Sequence, residues 1–167
     1  MEYLKIVLRL IHILSGVFWV GGAFFLGFFV NPSIQATAES GQKFMAHLMT
    51  KSGLTLRITI AAFLTVLAGG WLYWIDSGGL TSVWIHSATG WGFGIGGIFG
   101  IVGLIFGSMV GKYSSTLGEI ASQIEGKPTP EQISQIQEVQ KKLKSVSTID
   151  TIALILSLIC MATARYW

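Results

Sequence analysis

The sequence predicts an all-α protein that crosses a membrane four times as a helix bundle. Apolar residues make up 51% of the 167 residues and charged residues only 11%, against about 25% charged in a typical soluble domain. The apolar residues gather in four runs, each long enough to cross a bilayer as a helix of about 20 residues. A chain of this length fits one domain, here residues 1–167 with predicted spans at about 8–30, 57–75, 84–110 and 147–166.

The first run follows the basic residues Lys5 and Arg9 and contains His12. Basic residues before an apolar run are also typical of a cleaved signal peptide. This run is longer than a signal core, however, and we expect it to remain as the first span. An ionisable side chain inside a span is costly, so we expect His12 to have a functional role.

The other three runs differ in composition. The second, RITIAAFLTVLAGGWLYWI, is apolar along nearly its whole length, and the third is rich in glycine and carries His86 near its start. The fourth is shorter and spans the bilayer if its charged ends reach the headgroups. We expect Asp150 in the first turn of this last helix, where a negative charge favours the helix dipole.

Basic residues indicate how the chain is oriented. Seven lysines lie in the regions 31–56 and 111–146, with Arg57 at the edge of the first, whereas the opposite side holds three basic residues. By the positive-inside rule these two regions face the cytoplasm and both termini face outward.

The two cytoplasmic regions are expected to be helical. Apolar residues recur at helical spacing in 114–126 and again in 131–146, and GKPTP separates the two stretches with a helix-breaking turn. We predict a cytoplasmic hairpin over about 111–146, built from amphipathic extensions of spans three and four. The segment 39–52 is predicted to form a separate surface helix with His47 on its polar side.

A second histidine is predicted at the same depth as the first. His12 shares a helix stripe with Gly16 and Trp19, and His86 shares one with Gly90. Both spans enter the membrane from outside, so the two imidazoles are expected at similar depth. Facing histidines on glycine-lined helices are how a bundle holds a b-type haem, and we therefore predict a haem iron bound by His12 and His86.

Two further points bear on this site. Arg9 lies one turn outward from His12 and is a candidate partner of a haem propionate, as is Arg165. The same two histidines are also compatible with copper or zinc, although two nitrogens alone make an incomplete site.

Each of these residues also has a purely structural interpretation. A histidine in His12's position can hydrogen-bond a carbonyl or hydroxyl within the bundle, and His86 is near enough to the interface to be hydrated. Arg9 can extend its guanidinium outward. The glycines can serve helix packing or oligomerisation alone, including a second ridge at Gly92, Gly96, Gly100, Gly103, Gly107 and Gly111.

Several functional classes are disfavoured. The sequence has no phosphate-binding glycine loop, nucleophile elbow or zinc-type Cys/His spacing, so a hydrolase is not expected, and no basic patch with aromatics indicates nucleic acid. Cys160 lies in an apolar run and is expected to be inert. Met45, His47 and Met49 suit copper by type, but alternate residues on a helix do not converge on one point.

Three segments carry a family resemblance: HILSGVFWVGGAFFL, FMAHLMTKSGLTLRITIAAFLTVLAGGWLYW and WIHSATGW. They resemble small four-helix bacterial membrane proteins, which include the CopD-type copper-resistance proteins and the HemJ-type protoporphyrinogen oxidases. The resemblance covers roughly residues 8–100. It implies an inner-membrane location and a haem b bound by His12. Ala88 stands where the oxidases have a third-helix lysine, so haem binding is implied more strongly than protoporphyrinogen oxidation.

The sequence therefore predicts a small membrane haem protein that takes part in electron transfer near the outer face. If it is an enzyme, we expect a haem-dependent membrane oxidoreductase. Two alternatives stay open. One is CopD-like copper transport or tolerance, and the other is an accessory subunit without catalytic activity in a larger membrane complex. The expected partners are the lipid bilayer and a redox partner or such a complex.

Overall fold

The computed structural model describes residues 2–124 and 128–167, except for the side chains of residues 38, 39, 42, 46 and 50. Every regular element in these described parts is a helix, and none is a strand. The all-α prediction is thus confirmed. The five α-helices are α1 (Glu2–Phe25), α2 (Asn31–Thr50), α3 (Leu54–Asp76), α4 (Ala88–Ser122) and α5 (Pro130–Thr163).

Four helical stretches are long and apolar enough to cross a membrane, as predicted. They are Glu2–Thr37, Leu54–Asp76, Ala88–Ser122 and Pro130–Tyr166. Large apolar side chains remain exposed along all four stretches. In water such a surface would be unfavourable, whereas it matches the hydrocarbon of a bilayer.

Helices α4 and α5 include the extensions that the sequence predicted. They continue to Ser122 and start at Pro130 without a break between the apolar and amphipathic parts. Part of the predicted turn, residues 125–127, lies outside the described residues. At the start of α5 the Thr129 hydroxyl accepts from the Gln132 amide, and the Gln132 side chain accepts from the Thr129 amide. This capping box fixes where α5 begins.

One expectation about α5 is wrong. The sequence placed Asp150 in the first turn of the fourth helix, but α5 begins at Pro130, so Asp150 lies in the middle of a continuous helix. The error arose because the hydrophobic run starts well after the helix does. A carboxylate at this position gains nothing from the helix N-terminus, whose field extends over about one turn.

The first span also continues further than expected. A π-helical turn, Leu26–Val30, joins α1 directly to α2, so the predicted surface helix at 39–52 is part of a longer helix. Pro32 explains the turn, because proline has no N–H to donate to the carbonyl four residues earlier. Just before the proline, the Asn31 amide bonds the Leu26 carbonyl, which is five residues earlier. This wider helical turn accommodates the proline ring.

The spanning helices form two antiparallel pairs. In the first pair, α1 packs on α3, with Gly16 against Thr65, Gly22 against Ile58 and an ion pair from Lys5 to Asp76. We call the end of the bundle that carries this ion pair the terminal end. The end that carries Ser122 and Pro130 is the hairpin end.

In the second pair, α4 packs on α5 along a ridge of glycines. Methyl groups added at Gly92 and Gly96 would lie 2.8 Å from the Ala164 Cβ and 3.1 Å from the Cys160 Cβ. The second glycine ridge of the sequence is therefore covered from Gly92 to Gly107 by α5 and the residues that follow it in the same chain, whereas Gly111 lies against Thr55 of α3. Its glycines allow the two helix backbones to approach closely.

The two pairs meet at a small core. It contains Trp19 from α1, Ala61 and Ala62 from α3, and Leu154 from α5. Nearer the terminal end, the Tyr73 hydroxyl donates to the Gly90 carbonyl of α4 at 3.3 Å. These contacts position the residues of the candidate site.

Candidate functional site

His12 faces α3 at the seam of the first helix pair. Its imidazole is half-buried, and its Nδ1 lies 2.7 Å from the backbone carbonyl oxygen of Thr65. A carbonyl only accepts hydrogen bonds, so Nδ1 carries the proton in this contact. In the neutral imidazole, Nε2 then keeps its lone pair and is the nitrogen able to bind a metal.

Gly69 provides the space for this imidazole. A methyl group added there would lie 2.7 Å from both Nδ1 and Cε1 of His12, closer than carbon and nitrogen atoms approach each other without a bond. On α1, one turn after His12, a methyl group added at Gly16 would lie 3.4 Å from Thr65 Cγ2. Small residues on both helices thus form the His12 site.

Two hydroxyl groups complete a polar cluster next to His12. Thr65 Oγ1 lies 2.7 Å from the Ala61 carbonyl and 3.0 Å from Ser15 Oγ, which itself donates to the Ile11 carbonyl. Each hydroxyl is therefore satisfied by α1 or α3. Such polar contacts hold membrane helices together, so His12 also contributes to the packing of α1 on α3.

His86 lies in a different environment. It ends a short 3₁₀ helix, Val83–His86, and its side chain is exposed. Helix α4 starts only at Ala88, where Ser87 Oγ accepts from the Gly90 amide at 3.1 Å. His86 is thus in the connection between α3 and α4, outside the α-helix that the sequence extended to it.

The other predicted site residues have clear structural positions. Gly90 is buried, and a methyl group there would collide with the Trp84 carbonyl, so this glycine lets the 3₁₀ helix fold against α4. Trp19 is buried in the core between the two pairs. Arg9 and Arg165 are exposed.

The structure brings some of these residues together and leaves others apart. His12 and Gly16 share the seam with α3, whereas His86 and Gly90 belong to the connection and the start of α4. A groove of about 470 Å³ is lined by neither histidine. It lies on the outer face of α3 and is formed by Val66, Leu67, Gly70, Trp71 and Trp74.

One polar residue was missed as a candidate. Asp150 is 6% exposed, and its Oδ1 is buried with no hydrogen-bond partner among the described residues. The available sequence signal was its helical spacing from the apolar residues Val146, Ala153 and Leu154, which puts the carboxylate on an apolar face. We missed it because the helix was expected to begin beside it.

Comparison with known proteins returned no match to any family model, curated protein or solved structure. In the described parts of the chain, no group of three or more His, Cys, Asp or Glu residues comes together to hold a metal ion. Any function must therefore be argued from the residues of this chain.

Proposed function

We propose that the protein is a small membrane haem protein in which His12 binds the iron of a b-type haem through Nε2. The observation that supports this is the contact between His12 Nδ1 and the Thr65 carbonyl. A histidine that binds a metal through one nitrogen almost always donates the other N–H to a carbonyl or carboxylate, which fixes its tautomer and orientation. His12 has this arrangement within a helix of membrane-spanning length.

Two features of the surroundings of His12 support this proposal. The imidazole is half-buried, and the exposed Arg9 lies three residues away toward the terminal end. An arginine at this distance is suited to a propionate. When bound, haem supplies a one-electron couple whose potential depends on its axial ligands and on burial.

His86 is the proposed second ligand. The support for it is weaker than for His12, because its imidazole is exposed in the connection before α4. Two histidine ligands would saturate the iron and favour electron transfer. With His12 alone, the iron would keep an open position for a substrate or a gas.

The proposal includes a location in a bacterial-type plasma membrane with the terminal end outside. It is supported by the lysines of the 31–56 and 111–146 regions, which favour the cytoplasmic side for the hairpin end. The haem would then lie toward the outer face and exchange electrons with a partner there.

Visible spectra of the purified protein test the proposal. The wild type, produced in cells supplied with haem precursor, is expected to show a Soret band and sharp bands after reduction with dithionite. His12→Ala should lose them, and His86→Ala should change them if His86 is a ligand. His47→Ala is the matched control, because His47 is exposed on α2, and it should leave the spectrum unchanged.

A further variant separates haem binding from helix packing. His12→Gln retains an amide N–H for the Thr65 carbonyl but is a poor iron ligand, so it should lose the spectrum while keeping the thermal stability of the bundle. A featureless wild-type spectrum would reject the proposal. His12 would then serve the α1–α3 contact alone.

A further inference from the structure

Asp150 lies at the interface of α4 and α5, remote from His12. A methyl group added at Gly107 would lie 3.4 Å from Asp150 Oδ1, and one at Gly103 would lie 3.7 Å from the same oxygen. The carboxyl group is therefore directed at two glycines of α4, whose missing side chains leave it room. Val146 and Leu154, one helical turn before and after Asp150, are both buried and apolar.

No compensating partner of this carboxyl group is found among the described residues. Its Oδ1 is buried without a hydrogen bond, and within the described residues the ion pairs join other groups, Lys5 to Asp76 and Lys142 to Glu138. An ionised carboxylate in apolar surroundings costs many kcal/mol unless it is paired or hydrogen-bonded. The arrangement therefore disfavours the anion.

In the described parts of the chain, no charged residue on the neighbouring helices forms an ion pair with Asp150. Lys144 of α5, Lys112 of α4 and Arg57 of α3 are exposed. Lys144 is six residues away, about 9 Å along the helix. Tyr113 of α4 is six residues beyond Gly107, again about 9 Å along the helix. The ionisable residues of α1, such as Lys5, Arg9 and His12, lie toward the terminal end, as does Arg165, which follows α5.

A metal cation fits the site poorly. Calcium or magnesium takes six or more oxygen ligands, whereas the α4 face opposite Asp150 offers glycines. A proton needs only the one carboxyl group. It also removes the charge, which is the costly feature of the site.

We propose that the Asp150 carboxyl is a proton-binding site within the spanning part of the bundle, occupied by a proton at neutral pH. An ionisable residue buried in a span is a common element of proton relays. Asp150 lies 20 residues, about 30 Å, along α5 from its start at the hairpin end, and the half-buried Ser147 lies on the same face one turn nearer that end. This inference does not depend on haem binding.

Infrared spectroscopy of the full-length protein in lipid tests it directly. At neutral pH exposed Asp and Glu side chains are ionised, because their usual pKa values are about 4. The wild type should nevertheless show the C=O stretch of one protonated carboxyl at pH 7. Asp150→Asn should lose this band, and Asp76→Asn, the control at an ion-paired aspartate, should keep it.

Three results would overturn the proposal: no such band in the wild type, a band that persists in Asp150→Asn, or a band that sodium ions remove at constant pH. The last result would indicate a cation site.

If Asp150→Asn fails to fold, the wild type alone can be labelled with a hydrophobic carbodiimide. The carboxyl oxygen adds to the central carbon of the reagent while the acid proton moves to its nitrogen, and rearrangement gives an N-acylurea without a leaving group. The adduct should map to the peptide that contains Asp150 and should decrease as the pH rises. An adduct on other carboxyl groups only would contradict the proposal.

Discussion

At the scale of single residues, the contact between His12 and Gly69 defines the geometry of the candidate site. The imidazole occupies the place that the side chain of residue 69 would fill, and this brings Nδ1 to the Thr65 carbonyl. The Thr65 carbonyl thus determines the tautomer of the histidine, and Gly69 leaves the room for this contact. The packing of α1 on α3 and the proposed haem binding would both depend on this one position.

Substitution of Gly69 tests this dependence. Gly69→Ala would place a methyl group 2.7 Å from Nδ1 and Cε1 of His12, so the imidazole must leave the Thr65 carbonyl. We expect a loss of bound haem and a decrease of about 1–3 kcal/mol in the free energy of unfolding, as overpacking usually causes. Haem content and thermal unfolding in detergent measure the two effects.

The adjacent glycine provides the control for this experiment. A methyl group at Gly70 would meet nothing within 4 Å, so Gly70→Ala should behave as the wild type. Equal behaviour of the two variants would contradict the placement of His12 against α3.

The sequence predicted part of this residue-scale picture. Helical periodicity put His12 and Gly16 on one stripe, which the structure packs against α3. Periodicity did not indicate that α3 covers this stripe. Which helix packs on a given face depends on how all the helices are arranged, and the periodicity of one helix does not contain that information. The haem prediction paired His12 with His86 for this reason, and it stays a prediction.

At the scale of elements, the glycine ridge of α4 determines how closely α5 approaches. Among membrane helices there is little hydrophobic driving force for association, so close van der Waals packing has a larger role than in water. Gly92, Gly96 and Gly103 all lie against α5 or the short 3₁₀ helix that follows it. The ridge was visible in the sequence, although the identity of its partner was not.

A pair of glycine substitutions tests the ridge. Gly92→Ala would bring a methyl group to 3.0 Å from the Ala164 Cα, and a backbone atom cannot move away as a side chain does. We expect a loss of about 1–3 kcal/mol in unfolding free energy. Gly97→Ala, with nothing within 4 Å of the added methyl group, should leave stability unchanged when both are unfolded in detergent.

Element boundaries were predicted less well than the elements themselves. Hydrophobicity marks the part of a helix that matches lipid, whereas backbone hydrogen bonds continue beyond it. Pro130 and Thr129 start α5 well before its apolar part, and that difference concealed the buried position of Asp150. The first span was predicted to end at about residue 30, whereas the helix continues past Pro32. Proline there changes the helical turn without ending the helix.

At the scale of the whole molecule, two helix pairs are held together by a small shared core. Leu154 is 1% exposed and contributes to it from α5, together with Trp19, Ala61 and Ala62 of the other pair. The core is small because the remaining surface of the spans is apolar and suited to lipid. The arrangement of the pairs therefore depends on few side chains.

Truncation of Leu154 tests the role of this core. Leu154→Ala should leave a cavity between the pairs and lower the unfolding free energy by roughly 2–4 kcal/mol, by comparison with buried leucines elsewhere. Leu158→Ala, one turn along α5 at a side chain that is 47% exposed, should have little effect. Thermal unfolding in detergent distinguishes them, and similar losses would contradict a core centred on Leu154.

The lengths of α4 and α5 have a consequence for the surroundings of the protein. With 35 and 34 residues, each helix is about 50 Å long at 1.5 Å per residue, whereas the hydrocarbon of a bilayer is about 30 Å thick. If the terminal end is level with one lipid surface, about 20 Å of each helix projects from the other. The height of Ser122 and Pro130 above the headgroups would then be set by helical rise.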